Sequence, residues 1–527
     1  MSCDGGMIGE QGPCLKGHEG KEWVVHFPAA LLKALFEIQL EIAEKGSREA
    51  GRRLYQQLRS AISDGRLALG ARLPATREAR SLFGVSRNTA AEIYDRLIND
   101  GYAVARRGSG TFVADALPLA PARVASGQSA AVRLNPFWLR EDTTAAMGFW
   151  RDQSAGAPVR GSRSIDLRPA LVDSRLFPFD VFRRLMAKQL RVLERNPANY
   201  KSPQGNQGNY ALRDAITRHI ALTRAVVSVA DDVLVTAGAQ QAFDLLARIL
   251  VVPGETVVAI EDPGYPPMRV AFAAAGAKLV AVPVDGQGLV VEQIPAQASV
   301  ICLCPSHQFP TGVTMSAPRR KALVAWARKH GAVVVEDDYD GEFRYEDNPL
   351  AALRTSDAAD VVFYVGTFSK CMLPALRLGF IVAPEWAMPT LIACKNALDW
   401  HCPTPMQMAV AAFVAEGHLA QHVRKMRQVY QQRRKLLLEA LRGELSRWLV
   451  PIPSTYGMHV GAYARADLDL ERVTEQMRQR GVNAHSFARY YLEAPGKAGL
   501  LLGYGTAGAA ELKNGLSRLR EALSSAR

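Results

Sequence analysis

Residues 54–113 read LYQQLRSAISDGRLALGARLPATREARSLFGVSRNTAAEIYDRLINDGYAVARRGSGTFV. Leu54, Leu58 and Ile62 recur at helical spacing, and Asp64-Gly65 stops that run. After a short connector, Leu67 to Leu73, Pro74 opens a second helix over about Thr76 to Phe83, which ends at Gly84. Ser86 stands where an N-cap belongs, ahead of a third helix with an apolar face of Ala90, Ile93, Tyr94 and Leu97, closed by Gly101. Two strand-like runs, Tyr102 to Arg106 and Thr111 to Ala114, flank Arg107-Gly108-Ser109-Gly110, a hairpin signal.

Helix, helix, helix, hairpin is the order of a winged helix-turn-helix, assigned here to 31–114. In that architecture the N-terminal residues of the recognition helix meet base edges, and the wing and helix N-termini hold phosphates. Ser86, Arg87, Asn88 and Thr89 open the third helix. Arg can be bidentate to guanine, Asn to adenine, and Ser or Thr can reach phosphate. Arg72, Thr76, Arg77, Arg107, Gly108 and Ser109 are candidates for backbone or minor-groove contact. A second reading stays open, in which Ser86 is only a cap and the arginines only solvate a helical surface. Charge favours DNA: of a formal net +13, the segment 51–113 alone carries eleven Arg against five Asp or Glu.

At 527 residues the chain is too long for one ordinary core. Residues 1–30 show no period and receive no assignment. From 115 to 164 the composition turns to Ala, Pro, Gly and Ser, which reads as a linker, with Trp138, Phe149 and Trp150 as docking points. Beyond it, apolar runs at Asp232–Thr236, Thr256–Ile260, Val300–Cys304, Ala332–Val335 and Val361–Val365 alternate with helical segments. That alternation predicts a mostly parallel sheet covered by helices over 165–527. A long basic helix around Gln421–Leu441 marks a smaller C-terminal α+β lobe.

Residues 363–379, FYVGTFSKCMLPALRLG, place a lysine after small hydroxyl residues and an arginine seven residues later. Pyridoxal 5'-phosphate (PLP) chemistry needs an amine for a Schiff base, with hydroxyls and a guanidinium for a dianionic phosphate. Lys370 is the Schiff-base candidate, with Thr367, Ser369 and Arg377 at the phosphate. VVVEDDYDGEF ends an apolar strand in acids: Asp337 suits the pyridine nitrogen and Tyr339 the ring hydroxyl, the alternatives being a metal site or a solvated turn. Gly238, Ala239 and Gln240 lie at a strand-to-helix junction whose free N–H groups favour phosphate. Tyr265 is a ring-stacking candidate, and Tyr200 can reach a phosphate, including that of a partner subunit. No metal site is assigned.

In this order and spacing these segments resemble the fold-type I aminotransferases, and residues 54–113 resemble the GntR winged helix-turn-helix. The whole is similar to the MocR subfamily of transcription regulators. That resemblance implies a head-to-tail homodimer that binds PLP and an operator on double-stranded DNA, and senses a small-molecule effector. A working aminotransferase with an accessory N-terminal domain is the alternative. Two positions depart from the aminotransferase pattern. Phe309 stands where an asparagine usually serves the ring hydroxyl, leaving His307 or Gln308 as substitutes, and Leu501 replaces the arginine that clamps a substrate α-carboxylate.

No apolar run reaches the ~18 residues of a membrane span. Seven cysteines without a CxxC pair predict reduced thiols, and Met1–Gly20 lacks the pattern of an export signal. A cytoplasmic location is expected.

Overall fold

The computed structural model describes residues 23–24, 41–42, 48–115, 134–147, 164–197, 205–345, 351–357, 360–465, 468–493 and 496–525. These form two compact units, 1–133 and 134–527.

In the first unit, helices α1 (Arg48–Ser63), α2 (Thr76–Phe83) and α3 (Arg87–Asn99) precede strands β1 (Ala103–Arg106) and β2 (Gly110–Val113), which pair antiparallel. Leu54, Leu58, Ile62, Ala79, Phe83, Ala90, Ile93, Tyr94 and Leu97 pack into one buried cluster, so the apolar face read at helical spacing is the core. Gly84 ends α2 in the left-handed region at φ 65°, a conformation open to glycine without a Cβ clash. Arg72 bridges to Phe112, tying the connector to the wing.

The second unit begins inside the stretch read as a linker. Asn135 caps a 3-10 turn, Pro136–Leu139, and helix α4 (Glu141–Met147) packs on the helix Pro266–Ala274. Polar composition hid α4: Thr143 is its one fully buried residue, and Trp138 remains half-exposed. Phe149 and Trp150 lie outside the described residues.

An eight-stranded sheet forms the large lobe. Its spatial order is β3 (Val233–Thr236), β10 (Gly379–Val382), β9 (Val362–Thr367), β8 (Val333–Asp338), β7 (Ala298–Leu303), β4 (Val257–Asp262), β5 (Lys278–Asp285) and β6 (Gly288–Leu289). The strands from β9 to β5 run parallel, whereas β10 is antiparallel to both its neighbours. Five strand-like runs in the sequence match β3, β4, β7, β8 and β9; β10, only four residues long, carries no alternation to announce it. The helices of this lobe are α5 (Phe179–Arg195), α6 (Tyr210–Arg224), α7 (Ala239–Leu250), α8 (Pro266–Ala274), α9 (Ala317–His330), α10 (Met388–Leu398) and α11 (Thr404–Ala415). Separate apolar clusters, one around Phe243 and Val365 and another around Leu323 and Val334, bury the sheet beneath them.

The small lobe is a four-stranded antiparallel sheet, β11 (Leu449–Pro451), β12 (His459–Ala464), β14 (Gly499–Gly503) and β13 (His485–Ser486), packed with α12 (His418–Arg442), α13 (Leu470–Gln479) and α14 (Ala509–Ser525). A short strand at Ile165–Asp166 pairs with Val482–Asn483, and Ile165 and Leu167 enter the small-lobe core.

Candidate cofactor site and DNA interface

Three strand ends of the large sheet converge on Lys370. Strand β9 delivers it three residues past Thr367, and burial pushes its amine down to about 8, against the opposing pull of Asp340 and Asp337 and with help from Arg377. Its Nζ donates to the Ala170 carbonyl at 2.7 Å, and Ala170 holds a left-handed φ of 56°. Sequence alone gives no hint of Ala170, because a backbone carbonyl leaves no mark on residue type.

Asp337 is the last residue but one of β8, near enough for its charge to act on Lys370. Its Oδ2 receives only a weak bond from Cys304 Sγ at 3.6 Å, and its Oδ1 is buried without a partner. Burial raises this carboxyl to about 8, with Asp338 adding to the rise and Lys370 opposing it. A buried acid with an orphaned oxygen fits a protonated pyridine nitrogen, which would draw the carboxylate back to its ionised form.

The phosphate cradle is also present. Gly238 has φ 85° and starts α7, whose first N–H groups are free of helical partners. The Arg377 guanidinium lies over Gly238, so close that a Cβ there would sit 2.9 Å from its Nη2. Its Nη2 also donates to the Ala237 carbonyl at 2.8 Å. Thr367 Oγ1 is 3.0 Å from Ser369 Oγ and accepts the Ser369 N–H. Gln240 turns its amide to Pro267, leaving its backbone rather than its side chain for an anion. Tyr200 lies outside the described residues. The residues present fit PLP: an amine, a lone acid, a glycine cradle and a guanidinium.

Tyr265 meets Phe309 edge-on at 5.5 Å. Phe309 further contacts Tyr339 and Tyr490, and it shares a buried cluster with Leu501, Ile452 and Phe487. Of the two substitutes weighed for the missing asparagine, Gln308 is consumed by its own turn: its amide donates to Pro263 and Phe309, and its Oε1 accepts from Thr311. His307 instead stands 2.9 Å from the Tyr339 hydroxyl and 2.9 Å from Asp340.

His307, Asp340 and His459 place one donor atom each within 4.8 Å of the others. The two imidazole rings lie 4.5 Å apart with a 35° tilt. Within the group His307 Nδ1 pairs with Asp340 Oδ2, while His307 Nε2 and both ring nitrogens of His459 are buried without a hydrogen-bond partner. Asp340 and His459 escaped the sequence reading; Asp340 sits in the quoted acidic run, whereas His459 carries no local signal.

In the first unit, Ser86 Oγ accepts the Thr89 N–H at 3.1 Å and meets Thr89 Oγ1 at 2.8 Å, so the capping role is real. Arg87 and Asn88 on the same turn are exposed, as are Arg72, Arg77, Arg107, Gly108 and Ser109, while Thr76 is half-buried. Ser109 N–H closes the wing turn on Arg106 at 2.9 Å, with Gly108 at φ 76°. Capping fixes the turn that presents Arg87 and Asn88, and the two readings of Ser86 are compatible.

A model of the class I and II aminotransferases matches residues 176–497, and one of the gntR family of bacterial regulatory proteins matches 50–113. The "Probable rhizopine catabolism regulatory protein MocR" of Rhizobium meliloti is 33% identical over 473 residues, 89% of this chain and 93% of that protein. The pyridoxine biosynthesis transcriptional regulator PdxR of Corynebacterium glutamicum is 29% identical over 471 residues, 89% and 95% of the two chains. Among solved structures, the kynurenine aminotransferase of Pyrococcus horikoshii superposes with TM-score 0.64 at 24% identity, covering 77% of this chain and 98% of its own. The α-aminoadipate aminotransferase of Thermus thermophilus gives 0.62 at 27%, covering 69% and 93%. Fold and site thus define a class I/II aminotransferase domain joined to a GntR-type DNA-binding domain. The chain belongs to the MocR-type GntR transcription regulators, and the cofactor of its aminotransferase domain is PLP.

Proposed function

We propose that this regulator holds PLP on Lys370, with Asp337 at the pyridine nitrogen, Tyr339 at the ring hydroxyl, Tyr265 beside the ring, and Gly238, Ala239, Gln240, Thr367, Ser369 and Arg377 around the phosphate. PLP supplies an electrophilic carbon that captures amines. The observation that carries the assignment is the buried, unpartnered Asp337 Oδ1, whose charge acts on a Lys370 amine that burial lowers.

An amine-bearing effector, or PLP itself, acts through this site. It shifts operator affinity by its differential affinity for the two states of the protein. Arg87 and Asn88 read base edges of a double-stranded operator. Arg72, Thr76, Arg77, Arg107 and Ser109 hold the backbone, with Gly108 shaping the wing. The working form is a head-to-tail homodimer in the cytoplasm, with Tyr200 reaching the partner's phosphate. Among the described residues no helix is long and apolar enough to cross a membrane. Regulation is favoured over metabolic transamination because no arginine stands at 501.

The test is an absorption spectrum of the purified protein with added PLP, wild type against Lys370→Ala. A visible band present in the first and missing in the second supports the assignment. No band in either, or equal bands in both, overturns it.

A further inference from the structure

The network behind Tyr339 has a property that follows from counting hydrogens. His307 Nδ1 lies 2.9 Å from Asp340 Oδ2 and 2.9 Å from the Tyr339 hydroxyl. A nitrogen lone pair facing a bare carboxylate oxygen at that distance would be repulsive, so one hydrogen lies between them, whether it belongs to Nδ1 or to Asp340. A ring nitrogen has a single in-plane position. Once that position is used, the Tyr339 O–H has no acceptor at Nδ1 and its hydrogen must point elsewhere.

We propose that Asp340 and His307 act as a positioning pair that turns the Tyr339 hydroxyl hydrogen into the cavity, toward the ring oxygen of the bound cofactor. The inference rests on the placement of PLP on Lys370 given above. It explains how a site with Phe309 in place of an asparagine still commits one donor to that oxygen. All three side chains are buried, so water does not compete for these hydrogens.

Other ionisable groups face the pair. His459, on β12, stacks on His307, and Arg434, on α12, bears on His307 electrostatically. Asp338, Glu342, Lys370 and Arg224 bear on Asp340, while Cys304, Asp337 and Glu261 bear on Tyr339. Burial, with Arg434 assisting, pushes His307 down to about 3, which keeps its ring neutral with one hydrogen to place.

The test is a pH titration of the visible band of full-length, PLP-loaded protein. A hydrogen bond to the ring oxygen favours its deprotonated form, so losing that bond raises the midpoint. In Asp340→Ala, Nδ1 becomes free to accept the Tyr339 hydrogen, and the midpoint should rise by about one pH unit or more. Asp340→Asn still donates to Nδ1 and should stay within about half a unit, as should His307→Phe, which leaves Tyr339 free to point into the cavity. Tyr339→Phe should rise as Asp340→Ala does, and the double variant no further.

A fall in the Asp340→Ala midpoint would report only the loss of a nearby negative charge and would overturn the pair. An unchanged midpoint, or a rise in Asp340→Asn equal to that in Asp340→Ala, would do the same. Where Asp340→Ala folds poorly, His307→Phe keeps the pair falsifiable: a rise of about one pH unit or more in that variant would overturn it. A wild type without the band, or a band indifferent to Lys370→Ala, removes the cofactor placement and the pair together. A Lys370-dependent band with immobile midpoints removes the pair alone.

Discussion

Phe309 and Leu501, nearly two hundred positions apart, lie in one buried apolar cluster with Tyr339, Tyr490, Ile452 and Phe487. The two positions that depart from the aminotransferase pattern therefore share one apolar wall.

From that wall follows a preference among amines. A carboxylate brought against it loses water without gaining a partner, a cost of several kcal/mol. Amines without an α-carboxylate should perturb the visible band at concentrations at least about tenfold lower than their α-amino-acid counterparts. Equal titration of matched pairs would show that some other cation receives the acid. Leu501→Arg should lower stability by about 3–5 kcal/mol in urea titrations, because it buries an unpaired guanidinium.

The depressed Lys370 amine sets a pH window for loading. A free lysine with a pKa of 10.5 is mostly protonated and unreactive near neutrality, whereas an amine at about 8 is half neutral at pH 8. The rate of PLP incorporation into cofactor-free protein should climb between about pH 7 and 9 and level off above, read by stopped-flow absorbance. A rate still climbing at pH 10 would place the amine near its ordinary value.

Gly238 allows a direct check of the phosphate cradle. Any side chain at this position would have to be carried at φ 85°, with its Cβ 2.9 Å from the Arg377 guanidinium. Gly238→Ala should cut PLP affinity by about tenfold or more, with a far smaller effect on DNA binding by PLP-free protein. Fluorescence titration of PLP and gel shift, run side by side, separate the two.

At the other unit, Arg87→Ala should weaken specific operator binding by about 1–3 kcal/mol and relax discrimination at one base pair. Arg107→Ala, on the wing, should weaken all sequences alike and reduce the salt slope by about one. Unchanged operator affinity in the Arg87 variant would move base reading off α3.

Much of this was legible in the residues. The helical period of Leu54, Leu58 and Ile62, the cap at Ser86 and the glycine stop at 84 are local signals, and local physics honoured them. Lys370, Asp337 and Arg377 stand out in the sequence as candidates because ionisable groups are uncommon beside apolar strand runs. Other parts were not legible. Helix α4 was lost in an Ala- and Ser-rich stretch because it buries almost nothing of its own. Ala170 acts through its carbonyl, and the pairing of Asp340 with His307 joins residues 33 positions apart, which no spacing rule connects.

Strand β10 has one more consequence. Because it runs back against β9, Thr367 and Gly379 face each other across the ladder, and Lys370 and Arg377 share the short bend between them. A parallel return would have demanded a crossover of a dozen or more residues, with the two cations pinned by separate parts of the fold. On its other side Gly379 faces Thr236, two residues before Gly238, and a Cβ at 379 would lie 2.9 Å from the Gly238 carbonyl carbon. One four-residue reversal thus sets the spacing of both grips on the cofactor, and shifting its register by a single residue would turn one of them away.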